Sequence, residues 1–137
     1  MIHLLDTGPL VALLNSRDHH HAWARAILGA VPAPIQTCEA VVAEACHILR
    51  VIPGGADAVM RLVEAGILRP SLSLASEAAA VRRLMAKYAD VPMSLADACL
   101  VRMSELSPEC RVVTLDSDFA TYRRLRRQVI PILTPER

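Results

Sequence analysis

Aromatic residues are scarce in this chain: one Trp, two Tyr and one Phe make up 3% of 137 positions, whereas hydrophobic residues in total reach 53%. A core must therefore be built chiefly from Ala, Val, Leu and Ile. Net charge is equally slight, at +1. A protein that coats nucleic acid usually carries a broad basic excess. That role is disfavoured here, but an enzyme whose acidic site and basic rim cancel in the sum is not. No apolar stretch reaches the ~18 residues a membrane-spanning helix needs, so no membrane association is expected. The four cysteines, Cys38, Cys46, Cys99 and Cys110, form no CxxC, and no His stands at a zinc-finger offset from them. Three lie in apolar surroundings and read as small hydrophobes of a reducing compartment, the cytoplasm. The chain opens at once on a strand-like run, so no signal peptide is expected.

The length suits a single domain over residues 1–137, large enough to bury roughly two thirds of its unfolded surface. Charged residues at 21% are an ordinary share, which argues against disorder. No repeat, low-complexity tract or linker is evident. Ile2 to Leu5 reads as a buried strand ending at Asp6, followed by a helix with Pro9 in its first turn and Thr7 or Gly8 as cap. A second helix is expected over His19 to Ala30. A short strand follows at Ile35 and Gln36, then a helix capped by Thr37 and running to about Val51. Pro53-Gly54-Gly55 ends it. Further helices are expected over Asp57 to Ala65, Ser76 to Tyr88 and Ser94 to Glu105, with strands over Ile67 to Leu72, Arg111 to Leu115 and Val129 to Leu133. Phe119 to Arg127 reads as a short basic helix. This alternation argues for a three-layer α/β/α domain with a central parallel sheet of four or five strands.

Of the 14 Asp and Glu residues, four stand where solvent alone does not explain them, and a fifth is ambiguous. Asp6 directly follows the first strand, where open parallel sheets form ligand sites; it also suits capping of the next helix. Asp116 repeats that position after another strand. Glu44 has Val41 three residues before it and Ile48 four after, which puts it on an apolar helix face. A carboxylate there is costly unless paired, protonated or metal-bound; the alternative is a stripe-edge side chain that reaches water or an Arg. Asp97 has Met93 four residues before it and Leu100 and Val101 after, and Ser94-Leu95-Ala96-Asp97 also fits a capping box. Asp118 suits the N-cap of a helix starting at Phe119. If these acids share one edge of the sheet, their mutual repulsion raises their pKa values unless a hard divalent cation relieves it.

The order Asp, Glu, Asp, Asp in these contexts resembles the PIN-domain family, and in particular its VapC-type toxin ribonucleases. The resemblance rests on Leu4-Leu5-Asp6-Thr7-Gly8-Pro9-Leu10, Val41-Val42-Ala43-Glu44-Ala45, Ser94-Leu95-Ala96-Asp97-Ala98 and Val113-Thr114-Leu115-Asp116-Ser117-Asp118-Phe119. It implies that Asp6, Glu44, Asp97 and Asp116 form an acidic catalytic quartet. Asp6, Asp97 and Asp116 would hold one or two Mg²⁺ or Mn²⁺ ions, with Asp118 a further candidate ligand. Glu44 would act as ligand or as the group that orients the attacking water. Thr7, Ser94 and Thr114 would support the acids. It further implies a metal-dependent endoribonuclease that forms a homodimer and is controlled by a small antitoxin protein.

Other features allow two readings. His19, His20 and His21 are adjacent, so on a helix they splay apart; a solvated or capping role is expected rather than a metal site. Arg123, Arg124, Arg126 and Arg127 suit either RNA phosphates beside the site or a solvated helix face. Trp23, between two alanines, reads as packing. A receiver-like signalling domain is disfavoured, because Asp6 is followed by Thr7-Gly8 rather than by a second acid and Ile67 to Leu72 does not end in Asp. The remaining alternative is a non-catalytic PIN-like module that binds RNA or protein.

Overall fold

A computed structural model describes residues 1–136. Five parallel strands form the central sheet: β1 (Ile2–Leu5), β2 (Ile35–Thr37), β3 (Leu68–Pro70), β4 (Cys110–Val113) and β7 (Ile132–Leu133). Between β4 and β7, β5 (Arg123–Arg124) and β6 (Gln128–Val129) form a separate antiparallel hairpin. Six helices complete the layers: α1 (Thr7–Leu14), α2 (His21–Ala30), α3 (Glu39–Leu49), α4 (Gly55–Glu64), α5 (Leu74–Lys87) and α6 (Leu95–Leu106). The result is the expected three-layer α/β/α arrangement.

The sheet order is β3-β2-β1-β4-β7. From β1 the chain winds outward through β2 to β3, then returns to place β4 on the other side of β1. Leu5 lies beside Val113 and His3 beside Arg111 across that β1–β4 pair. Winding therefore reverses between β1 and β4. A crevice opens there, outside the carboxyl ends of the two strands. Asp6 and Asp116 lie just past those ends.

Leu4, Leu10, Val41, Leu49, Leu100 and Val112 are fully buried, as an aliphatic composition requires. The few aromatics are nevertheless concentrated. Tyr122 packs edge-on against Tyr88 at 5.1 Å and against Phe119 at 5.3 Å between ring centroids, and all three are buried. Trp23 packs on the core edge, half-buried. No helix among the described residues is long and apolar enough to cross a membrane.

Several expectations need correction. Phe119 to Arg127 is not a helix: a 3-10 turn at Ser117–Ala120 leads into the β5–β6 hairpin. The expected strand over Val129 to Leu133 is divided, since Val129 belongs to that hairpin and only Ile132–Leu133 joins the sheet. Asp6, not Thr7 or Gly8, caps α1, its carboxylate accepting from Thr7 N at 2.8 Å. Thr37 ends β2, and Cys38 occupies the N-cap of α3. The Thr37 hydroxyl is instead buried and donates to the Leu5 carbonyl at 2.7 Å, tying β2 to the residue before Asp6. Thr37→Val keeps the shape and removes that donor. It is expected to cost about 1–2 kcal/mol in urea unfolding.

Candidate active site

The crevice at the β1–β4 switch is a cleft of about 390 Å³ lined by Asp6, Thr7, Gly8, Val11, Asp18, His20, Glu44, Ile48, Asp97, Leu115 and Asp116. Five of these carry carboxylates, and none is Lys or Arg. All four acids of the expected quartet share this one cavity. They are not closed into a ready-made chelate, because among the described residues no three His, Cys, Asp or Glu side chains are gathered tightly enough to enclose an ion.

Asp6 is the most constrained of them. It is 6% exposed. Its Oδ1 accepts from Thr7 N at 2.8 Å, and its Oδ2 accepts from the Thr114 hydroxyl at 2.7 Å. Burial pushes its carboxyl up to about 6, the neighbouring charges of Asp97 and Asp116 add to the rise, and the two hydrogen bonds partly oppose it. Thr114 does double duty, since its oxygen also accepts from Asp116 N at 2.9 Å. It thereby fixes the two strand-ending acids relative to each other.

Asp97 is buried in the first turn of α6, so its capping and inward-facing positions coincide. Ser94, the N-cap, accepts from Asp97 N at 3.0 Å. Its carboxylate accepts from the buried Tyr122 hydroxyl at 2.9 Å. Burial raises the Asp97 pKa, and the Tyr122 hydrogen bond counters that rise. The same environment pushes the Tyr122 phenol up, chiefly through burial and then through its bond to Asp97. Tyr122→Phe is expected to lower stability by about 1–1.5 kcal/mol at neutral pH. The loss should shrink in mild acid, where a protonated Asp97 is a weaker acceptor; urea unfolding at the two pH values measures both.

Glu44 takes the stripe-edge position, the alternative to a core-facing one. The buried stripe of α3 is Val41, Ala45 and Leu49, spaced four residues apart, whereas Glu44 lies one residue, or about 100°, off it. Glu44 and Ile48 are exposed and form one wall of the cleft rather than facing the core. Asp118 is not among the lining residues, and the expected N-cap role falls to Asp116, whose Oδ1 accepts from Asp118 N at 2.9 Å. Thr7 carries a buried hydroxyl oxygen with no hydrogen-bond partner.

Asp18 escaped the sequence reading, and His20, expected to be solvated or capping, also lines the cleft. Asp18 sits in the α1–α2 loop and accepts from His20 N at 2.8 Å, which turns His20 into the cleft. Of the other two histidines, His19 is exposed and His21 contacts the Ala12 carbonyl at 2.7 Å through Nδ1. Tyr122 was missed as well. The only local signal for these was a polar run in a loop and a Tyr three residues after Phe119.

The arginines after Asp118 do not form a helix face. Arg124 donates to the carbonyls of Ser104 and Pro108, and Arg123 to those of Ala120, Thr121 and Tyr122. Arg126 and Arg127 are exposed. Beyond the cleft, a second groove of about 360 Å³ shares His20, Leu115 and Asp116 with it and continues over Ser117, Ala120 and Ile132.

The family model of the PIN domain matches residues 3–125 of this chain. No curated protein matches it in sequence. Among solved structures, VapC20 of Mycobacterium tuberculosis, described as a toxin that cleaves the sarcin–ricin loop, superposes with a TM-score of 0.77. It is 19% identical, over 87% of this chain and 93% of that one. VapBC2 of Rickettsia felis, bound to a DNA fragment from its promoter, gives a TM-score of 0.61 at 11% identity, over 99% of this chain and 100% of that one.

Proposed function

The chain belongs to the PIN-domain family, and from that premise we propose that it is a divalent-metal-dependent endoribonuclease of the VapC toxin type. One observation carries the reading: five carboxylates line a single cleft that no Lys or Arg lines, and Asp6 at its base is held with a pKa near 6. Such an arrangement costs free energy by mutual repulsion and is relieved by a hard cation with oxygen ligands.

The residues fit Mg²⁺ or Mn²⁺. The donors are all oxygen, each bonded Asp6 oxygen keeps a further lone pair, and the partnerless Thr7 hydroxyl adds one more uncommitted oxygen. Asp6, Asp97 and Asp116 would hold the ion. Bound there, it would supply a lowered pKa for a water molecule and offset charge building on the phosphate oxygens. Glu44, on the exposed wall, would orient the attacking water. Thr114 keeps Asp6 and Asp116 in register, Ser94 fixes the start of α6, and the Tyr122 hydrogen bond favours the ionised form of Asp97. Cleavage would leave a 5′-phosphate and a 3′-hydroxyl.

Likeness to the toxin family supports a homodimer, a small antitoxin protein as regulatory partner and a cytoplasmic location. The test is incubation of structured and single-stranded RNA with Mn²⁺, Mg²⁺ or chelator. Cleavage that requires the metal supports the nuclease. Failure to cut any RNA under all three conditions would favour a non-catalytic interaction module.

A further inference from the structure

A second polar cavity has the opposite sign to the cleft. It is about 390 Å³ in volume and is built by α5, α6 and the β5–β6 hairpin. Its charged lining residues are Arg83, Lys87, Arg102, Arg123, Arg126 and one acid, Glu105. Arg102 is already neutralised, pairing with Glu77 at 3.5 Å and Glu105 at 3.2 Å. Glu105 also accepts from Leu125 N at 2.7 Å. Arg83, Lys87, Arg123 and Arg126 are left without a carboxylate partner among the described residues. Lys87 Nζ donates to the Arg126 carbonyl at 3.0 Å, and Arg123 donates to three carbonyls of the preceding turn. Those bonds position the two cations without cancelling their charge.

The backbone that presents Arg126 is strained. Leu125 has φ 48° and Arg126 φ 74°, a left-handed conformation that costs a non-glycine residue about 1 kcal/mol or more. Lys87 and Glu105 hold this turn in place from α5 and α6. The turn is thereby held in one arrangement beside the uncompensated cations.

The 3-10 turn links the cavity to the cleft. Asp116 of the cleft caps the start of the 3-10 turn, and Arg123 grips the Ala120 carbonyl at its end. The groove adjoining the cleft reaches Ser117 and Ala120 from one side. A polyanion leaving the cleft over this turn would be drawn toward the four cations, of which Arg123 is tied to the turn's end.

We propose that Arg83, Lys87, Arg123 and Arg126 form a docking site for the phosphate backbone of the nucleic-acid strand whose neighbouring phosphodiester lies in the acidic cleft. This rests on the nuclease reading. It identifies how a protein of net charge +1 would retain a polyanion: by gathering four unpaired cations at one cavity.

The test replaces two exposed members with neutral side chains, Arg83→Gln and Arg126→Gln together. Affinity for a single-stranded RNA is followed by fluorescence anisotropy in the Asp6→Asn background, so that the strand stays intact. Loss of two phosphate contacts should weaken binding about tenfold at low salt and flatten the slope of log K against log salt by about 1.4. In the background that keeps Asp6, the double variant should raise KM for long RNA and leave dinucleotide cleavage unchanged. Equal affinity and equal salt slope in the two proteins would overturn the docking site while leaving a cleaving enzyme intact. If the protein cuts no RNA, the nuclease reading fails, and the anisotropy difference still decides whether the cavity binds a strand. Inorganic phosphate binding as tightly as the RNA would mark a single-anion pocket and also overturn the proposal.

Discussion

Replacing Asp6 by Asn is expected to lower RNA cleavage by about three orders of magnitude while leaving the fold intact. The substitution changes almost no volume. Asn keeps an acceptor for the Thr7 amide, and the Thr114 hydroxyl, which now donates to Asp6, can rotate to accept from the new amide. What disappears is the charge at the one site where β1, β4 and α6 aim carboxylates at each other. If Asp6 merely caps α1, the variant should retain its activity, because Asn caps a helix as well as Asp does. Steady-state cleavage of one RNA at saturating Mn²⁺, beside circular dichroism of both proteins, separates the two roles.

The second large effect is on stability, and its sign follows from the same carboxyl. Asp6 has a pKa of about 6 in the folded chain against an ordinary value of 3.8, so the folded state binds this proton more tightly than the unfolded state. Its contribution is fully present below about 3.8 and is lost as pH rises through about 6. The difference corresponds to roughly 3 kcal/mol. Between pH about 4 and about 7, the metal-free protein should therefore lose stability through this group. Asp97, whose pKa is also raised, acts in the same direction. Asp6→Asn should remove most of that decline and should be more stable than the parent at neutral pH in chelator. Added Mn²⁺ should restore the parent and do little for the variant. Urea midpoints across this pH range, with and without Mn²⁺, measure all three; a parent that gains stability with pH in chelator would contradict the account.

How much of this was legible in the sequence depends on how local each cause is. Asp6 and Asp116 could be read because a carboxylate after an apolar strand lies at a sheet end wherever the strands pair. The reversal of winding that brings those two ends together is a property of strand order, which no local pattern contains. For Glu44 the residues left an apolar face and a stripe edge both open, and the stripe edge holds. The stripe that packs is Val41, Ala45 and Leu49, and only the packing of α3 on its neighbours selects that register over the other.

The hairpin was misread for a different reason. Phe119 and Tyr122 are spaced like a helix face, and the left-handed turn that follows is made of Leu125 and Arg126, not of the Gly or Asn that usually announce one. Asp18 and His20 reach the cleft only because the α1–α2 loop folds over it. Tyr122 meets Asp97 across 25 residues of chain. These are tertiary facts, and a polar loop or a Tyr spaced from a Phe marks them only faintly in the sequence.

The most direct measurement is diffraction from crystals grown with Mn²⁺, with data collected at the manganese absorption edge. The account predicts an anomalous peak in the cleft at roughly 2.0–2.3 Å from carboxylate oxygens of Asp6 and of Asp97 or Asp116. A cleft without manganese at concentrations that support cleavage, or an ion bound only elsewhere on the molecule, would contradict it.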